Sequence, residues 1–503
     1  RQTMTEKGKH LKEVTRGDIM KNTADAVVIG TGFAGLCAAI KLKEKGMNFI
    51  VLEKDSGVGG VWRVNTYPGA QCDVQSHLYS FSFEHKSDWS RTYGMQKEIL
   101  EYMEHCSSKY GINPHIRFNT EAVDAKWNDS EKRWEIRTDK GDIIQAKYAF
   151  FGLGGLSQIV LPDIKGREKF KGKFFHSAKW DHSADVKGKK VAVIGSAASA
   201  IQIVPAIASK VKKLTVFQRT ASWILPKEDR PYSNIEKNAF QMFPPLQWAS
   251  REAIYWRLEA RAMAFVYTPA VMKAFQRLIE KHIRNCVKDP VLAAKLTPDY
   301  TIGCKRILLS NDYYPALQRS NVDLVTEGIA EMDENGIILK DGSRVDADII
   351  VAATGFKAAE DILPFPVLGK NGISLNDEWK NGPEAYLGTT VKGFPNMFMI
   401  VGPNTGLGHS SMVYMIESQV NYAMKAVEYL QEEKLNMLEV KPEIQEEFNK
   451  EVQSRLGNSV WNNGGCVSWY RTKDGKNTTL WPGFTFEFRN RTENFQPKEY
   501  ILK

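Results

Sequence analysis

Apolar and polar positions alternate along this chain in blocks that predict strands and helices in a recurring order. Between Ala24 and Glu53 lie an apolar strand, a turn holding Gly30, Gly32 and Gly35, a helix carrying Leu36, Ala39, Ile40 and Leu42, and a second apolar strand closed by the acid. The order recurs at KKVAVIGSAASAIQIVPAIA. Here Val191 to Ile194 read as a strand, Gly195, Ala197 and Ala200 mark the turn, and Ala200 to Ile207 read as a helix, before KLTVFQRT ends another strand at Phe217. A further apolar run, Asp346 to Phe356, turns through Gly355. Asn234 to Leu296 has helical periodicity, interrupted by Pro244, Pro245 and Pro269. Its Trp248, Tyr255, Trp256, Phe265 and Tyr267 are expected to fill a core, with a substrate wall or a peripheral membrane face as the other readings. No apolar run approaches the roughly 20 residues that a membrane-spanning helix needs.

A strand, a glycine turn, a helix and a terminal acid together make a dinucleotide-binding fingerprint. Gly30 permits the tight turn, Gly32 lets the backbone approach a pyrophosphate at the helix N-terminus, and Gly35 allows close helix packing. Glu53 suits a ribose diol, because a carboxylate accepts both hydroxyl protons. In the second unit Ala197 puts a methyl group where the second glycine is usual, and the strand end offers Arg219 and Thr220 instead of an acid. A guanidinium pairs well with a 2′-phosphate, so the two units imply FAD at the first and NADPH at the second. The expected fold is α/β, with two Rossmann-like dinucleotide-binding domains, both discontinuous, and a helical insert. Residues 1–150 and 356–503 form the FAD domain, 151–225 and 301–355 the NADP domain, and 226–300 the insert.

Composition narrows the classes. A chain of 503 residues with 43% hydrophobic content builds two or three domains with cores, which excludes a disordered or fibrous protein. The formal charge of +9 is not concentrated in any basic run, so nucleic-acid binding is not expected. The cysteines Cys37, Cys72, Cys106, Cys286, Cys304 and Cys466 lie far apart without a CxxC pair. They are expected to be reduced thiols in a cytoplasmic compartment, with no metal site. The chain opens at Arg1 rather than Met, which suggests a trimmed terminus and Met4 as a native start.

One stretch, FKGKFFHSAKWD, precedes the second unit and fits no metal-ligand spacing and no nucleophile pattern. Phe170, Gly172, His176, Trp180 and Asp181 match the FxGxxxHxxxWD pattern of type I Baeyer-Villiger monooxygenases, and Gly59, Gly60, Trp62, Tyr67, Pro68, Gly69 and Asp73 match a second pattern of that family. The chain resembles this family across nearly its whole length. The resemblance implies that NADPH reduces FAD, that O2 adds to the reduced flavin, and that the peroxide anion attacks a ketone to give an ester or lactone.

The resemblance also implies residue roles. Arg306 matches the active-site arginine and Asp73 its partner acid, while Lys305 matches a residue that meets the 2′-phosphate. Around the flavin it adds Phe33 and Ala34 in the turn, Lys54 after the acid, and Val61, Trp62, Tyr67 and Tyr79 beyond Gly60. Around NADP it adds Ser196, Ala198 and Ser199. A C-terminal loop folds over the cofactors in such proteins, so Trp469 and Trp481 belong either to that loop's function or to packing. His409 has no evident partner and is left out. His176 is expected to lie in a linker between the two domains and to act on their movement rather than on a proton.

Two rivals stand beside this reading. A flavin-dependent N- or S-oxygenase shares the two-nucleotide plan, but Trp180, Asp181, Asp73 and Arg306 argue against it. A non-catalytic redox-sensing flavoprotein is kept open by Ala197. The particular ketone, the stereochemical preference and the oligomeric state are not legible.

Overall fold

The computed structural model describes residues 22–268 and 270–503; Met4 and Pro269 lie outside them. The chain begins with β1 (Thr23–Ile29), α1 (Phe33–Glu44) and β2 (Phe49–Leu52), followed by β3 (Ile116–Arg117), β4 (Ala122–Asn128), β5 (Arg133–Thr138) and β6 (Ile143–Phe151). A second series follows: β7 (Lys173–His176), β8 (Lys190–Ile194), α2 (Ala200–Ile207) and β9 (Lys213–Phe217). The insert carries α3 (Asn234–Met242), α4 (Pro244–Glu259) and α5 (Ala270–Cys286). The return path adds β10 (Val322–Val325), β11 (Ile349–Ala352), β12 (Val367–Leu368), β13 (Met397–Met399), α6 (Met412–Glu432) and α7 (Thr485–Thr492).

These strands make two large sheets. The first has the order β12-β4-β5-β6-β1-β2-β3, with β13 added parallel to β6. The second, β10-β9-β8-β11-β7, is parallel throughout. Each sheet therefore takes strands from both sides of the insert, which makes both domains discontinuous. Parallel strands need a crossover helix, and helices on both faces bury them, so β2, β8 and β11 read as unbroken apolar runs. Among the described residues no helix is long and apolar enough to cross a membrane.

The first helix shows why the turn sits where it does. Leu36, Ile40 and Leu42 of α1 are fully buried between the first sheet and α6, so truncating one of them to Ala costs about 2–5 kcal/mol. The helix can approach this closely because Gly35 lacks a side chain: a Cβ there would lie 1.8 Å from the Gly30 carbonyl oxygen.

Three expectations change. Tyr255 and Phe265 are buried, but Trp248, Trp256 and Tyr267 are exposed, because the insert helices carry apolar residues on both faces and periodicity does not say which faces the core. Cys304 and Cys466 form a disulfide across a separation of 162 residues, so the six cysteines are not all free thiols. The fold permits this because Gly464 leaves the space that its Cβ would take, 2.4 Å from the Cys304 Cβ. Finally, the segment around His176 is not a free linker. Lys173–His176 is the edge strand β7, in register with Ile349–Ala352 of β11.

Candidate active site

Arg306 and Asp73, 233 residues apart in the chain, meet at the centre of the candidate site. Both Nε and Nη2 of Arg306 donate to Oδ2 of Asp73, at 2.8 and 2.6 Å. About a third of each side chain remains open. Burial works to raise the Asp73 carboxyl, but the charge and hydrogen bonds of Arg306, with Lys227 behind them, outweigh it and hold the carboxyl below its ordinary range. Asp73 in turn stabilises the guanidinium cation. Two donors are thus spent on one carboxylate oxygen, and Nη1 makes no hydrogen bond among the described residues.

The sequence reading missed the support around this pair. Lys227 is buried, and its ammonium donates to Oε1 of Gln71 at 2.5 Å and to the Cys72 carbonyl at 3.1 Å, fixing the loop that carries Asp73. Tyr470 is also buried, with a phenolic oxygen that has no hydrogen-bond partner. Burial pushes that phenol up to about 12, with Arg306 lowering it and Asp73 raising it. Its segment is tied down by the disulfide, since Cys304 lies two residues before Arg306 and Cys466 four before Tyr470. A lysine inside the apolar ILPK run and a tyrosine beside Trp469 were the available signals.

The loop after the first glycine turn bridges the domains. The Tyr67 hydroxyl donates to Oε1 of Gln202 on α2 at 2.8 Å, and Nε2 of Gln202 donates to the Gln71 carbonyl at 3.0 Å. Gly69, at φ +83°, runs so close to α2 that a Cβ would sit 2.5 Å from the Gln202 carbonyl oxygen. At this contact a cavity of about 640 Å³ is lined by Gly69, Gln71, Gln202 and Lys227, with neither Arg306 nor Asp73 in its lining.

The residues expected to hold FAD surround the first glycine turn. α1 starts at Gly32 with no side-chain cap and no acid in its first turn, so its first backbone N–H groups are free for an anion. Gly32 and Gly60 face each other; a Cβ on Gly60 would lie 2.8 Å from the Gly32 Cα. Glu53 is buried, and Oε2 accepts from the Thr31 N–H and hydroxyl at 3.0 and 2.5 Å, so it braces the turn while facing the strand ends. Lys54 follows it directly. Phe33 and Trp62 each pack edge-on against Tyr79, and the Trp62 indole donates to the Tyr79 hydroxyl at 3.1 Å. Val61 and Ala34 flank this group in sequence. These residues fit a dinucleotide with an aromatic ring system.

The second turn is built alike. Gly195 has φ +124°, and a Cβ there would meet the Ala353 carbonyl oxygen at 2.3 Å. The Ser196 hydroxyl donates to the Thr220 carbonyl at 3.0 Å. Ala197 and Ala198 are exposed and Ser199 precedes α2, which has no acid in its first turn. Arg219 is exposed and makes no ion pair among the described residues. Burial lowers the Lys305 ammonium, and the Arg219 charge lowers it further. Two cations held near each other suit a phosphate dianion.

His176 spends both ring nitrogens on backbone. Nδ1 accepts from the Ala178 N–H at 3.1 Å, which leaves Nε2 to carry the proton and donate to the Gly355 carbonyl at 3.1 Å. Burial lowers its affinity for a second proton. Around it, Gly172 would clash with the Asp348 carbonyl oxygen if it carried a Cβ, Phe170 packs beside Gly172, and Trp180 lies edge-on to Phe175. Asp181 accepts from Lys173 and Ser183.

Trp481 is buried against Phe448 and Phe488, whereas Trp469 is exposed and packs on Tyr470. Neither ring nitrogen of His409 makes a hydrogen bond among the described residues, though its Nε2 lies 3.6 Å from Oε2 of the buried Glu259 on α4. That carboxylate accepts from the Thr485 hydroxyl at 2.7 Å.

A family model described as FMO-like, flavin-binding monooxygenase-like, matches residues 23–378. A Baeyer-Villiger monooxygenase of Pseudomonas aeruginosa is 49% identical over 477 residues, covering 94% of this chain and 90% of that relative. Among solved structures, cyclohexanone monooxygenase from Rhodococcus sp. Phi1 bound to NADP+ is similar at 31% identity and TM-score 0.86, covering 96% and 99% of the two chains. OTEMO in complex with FAD and NADP is similar at 28% identity and TM-score 0.84, covering 95% and 99%.

Proposed function

The chain belongs to the Baeyer-Villiger monooxygenases of the flavin-binding monooxygenase-like family, and from that premise we propose that it inserts one oxygen atom of O2 beside the carbonyl of a ketone, giving an ester or lactone. NADPH supplies the hydride when bound, and FAD carries the reducing equivalents to O2. The observation that carries the ketone reading is the anchored guanidinium of Arg306, with Nη1 uncommitted. A permanently charged donor held in place by Asp73 favours an oxygen nucleophile in its anionic form and stabilises the negative oxygen that develops on the attacked carbonyl. Oxidation of an amine or sulfide needs a protonated, electrophilic oxygen, which a fixed cation disfavours.

Other residues orient and hold. Arg219 and Lys305 are proposed to read the 2′-phosphate of NADPH. His176 is proposed to keep β7 and the Gly355 turn in register, a positioning role supported by both ring nitrogens being engaged. The division into 1–150 with 356–503 and 151–225 with 301–355 is supported by the two sheets. A cytoplasmic location accords with the need for NADPH and is checked by cell fractionation.

Incubation with NADPH, O2 and a panel of cyclic, aryl and long-chain linear ketones tests the reading. An ester or lactone from at least one ketone is expected. Sulfoxide or N-oxide from control substrates, with no ester from any ketone, overturns it.

A further inference from the structure

The helical insert presents an unusual surface. Of the twenty large apolar side chains exposed among the described residues, eleven lie between Ile235 and Val291. Ile235 and Met242 are about four-fifths exposed, and Phe243, Trp248 and Trp256 more than half. Along α4 and the turn after it, the exposed positions Pro245, Ala249, Ala253, Trp256, Ala260 and Met263 recur at helical spacing, so this outward stripe is apolar throughout. Ring contacts extend it through Phe486 and Phe484 to Tyr267, with centroids 6.0, 4.9 and 5.2 Å apart.

The exposed charges on the insert are mostly cationic. Over residues 226–300 nine exposed lysines and arginines stand against three exposed acids, Glu228, Asp289 and Asp299; Glu228 pairs with Arg257, and the Asp289 carboxylate caps the following helix. On α5, Lys273, Arg277, Lys281 and Arg284 form an exposed row at spacings of four, four and three, with no ion pair among the described residues. Val271, Ala274 and Leu278 run beside that row on the same helix, all exposed.

We propose that the insert docks on an anionic lipid surface, with Phe243, Trp248 and Trp256 entering the headgroup region and the α5 cations meeting the phosphates. Exposed aliphatic side chains beside a row of cations on α5, with exposed aromatic side chains on the preceding helix, are the composition of an interfacial surface. No spanning helix is required, because this contact lies in the plane of the membrane. A second copy of the chain is a poorer occupant: a two-fold contact sets the same surface against itself and brings like charges together.

Co-sedimentation of the FAD-loaded full chain with vesicles tests this. Binding is expected to phosphatidylserine-containing vesicles and not to pure phosphatidylcholine, and it should be released by high salt. Neutralising Lys273, Arg277 and Lys281 to Gln should weaken binding about fivefold per cation, on the order of a hundredfold together. Phe243→Ser with Trp248→Ser should also weaken it. These positions are exposed and outside the cofactor and Arg306 sites, so both variants should keep wild-type turnover of a water-soluble ketone. Protein that stays in the supernatant with anionic vesicles overturns the proposal. So does equal binding by the variants, or a wild-type dimer that the same substitutions dissociate.

Discussion

Replacing Asp73 by Ala removes both hydrogen bonds that fix Arg306. Hydrogen bonds between charged groups are each worth about 1.5–3 kcal/mol. Because about a third of each side chain is open, solvent screens part of that, and the loss of positioning is set at about 2–3 kcal/mol for the pair. If Arg306 acts where negative charge develops, the ester-forming rate falls about 30- to 150-fold. The assay follows ester yield and NADPH consumption together, with rapid mixing to time flavin reduction separately. Asp73→Glu, which keeps the charge, should recover part of the rate. The pH profile adds a check of sign. A carboxyl whose folded pKa is depressed contributes above its unfolded value and loses that contribution as pH falls through the depressed one, so this pair stays intact to about pH 4 and produces no break above it. Ester formation by Asp73→Ala within threefold of wild type, about 0.7 kcal/mol, would refute the reasoning.

Other expectations are independent of that pair. Arg219→Ala with Lys305→Ala should raise KM for NADPH about tenfold per cation and leave NADH nearly unchanged; equal effects on both cofactors would mean that neither cation meets the 2′-phosphate. Reducing the Cys304–Cys466 disulfide, which closes a separation of 162 residues, should destabilise the fold by about 5 kcal/mol on loop entropy and lower the thermal midpoint. Cys466→Ser should match the reduced protein, and a non-reducing peptide map without the linked pair would contradict the bond. His77 is buried, with its Nδ1 2.8 Å from the Ser250 hydroxyl of α4, and burial, aided by the charges of His85 and Arg251, pulls its pKa down to about 4. Its lowered folded pKa means the unfolded chain takes up a proton first, so stability falls by about 3 kcal/mol as pH drops from about 6.5 to about 4. His77→Gln should flatten that dependence, and unchanged slopes in denaturant unfolding would exclude His77 as its source.

Local chemistry was readable from the chain, and distant pairing was not. The turns at Gly30 and Gly195, the strands at Val191 and Ile349 and the helix at Ala200 follow from periodicity and glycine placement, because these features depend on neighbouring residues. Arg306 and Asp73 could be paired only through resemblance, since nothing in the spacing of two residues 233 positions apart specifies a contact. The Cys304–Cys466 bond was hidden for the same reason. Trp256 misled differently: a helix apolar on two faces has the same periodicity whichever face is buried. His176 was legible as part of a motif, yet its meaning came from the edge strand, where pairing with β11 brings the Gly355 carbonyl to its ring. The buried Lys227 and Tyr470 carry no motif of their own and emerge only where chain segments converge.

The most direct test of the central claim compares wild type with Arg306→Ala, measuring NADPH consumed and ester formed in the same reaction. Wild type should form one ester for each NADPH with an accepted ketone. Arg306→Ala should form none, with any NADPH it still consumes appearing as reduced oxygen. Ester formation by Arg306→Ala at the wild-type rate would remove the guanidinium from the chemistry and contradict the account.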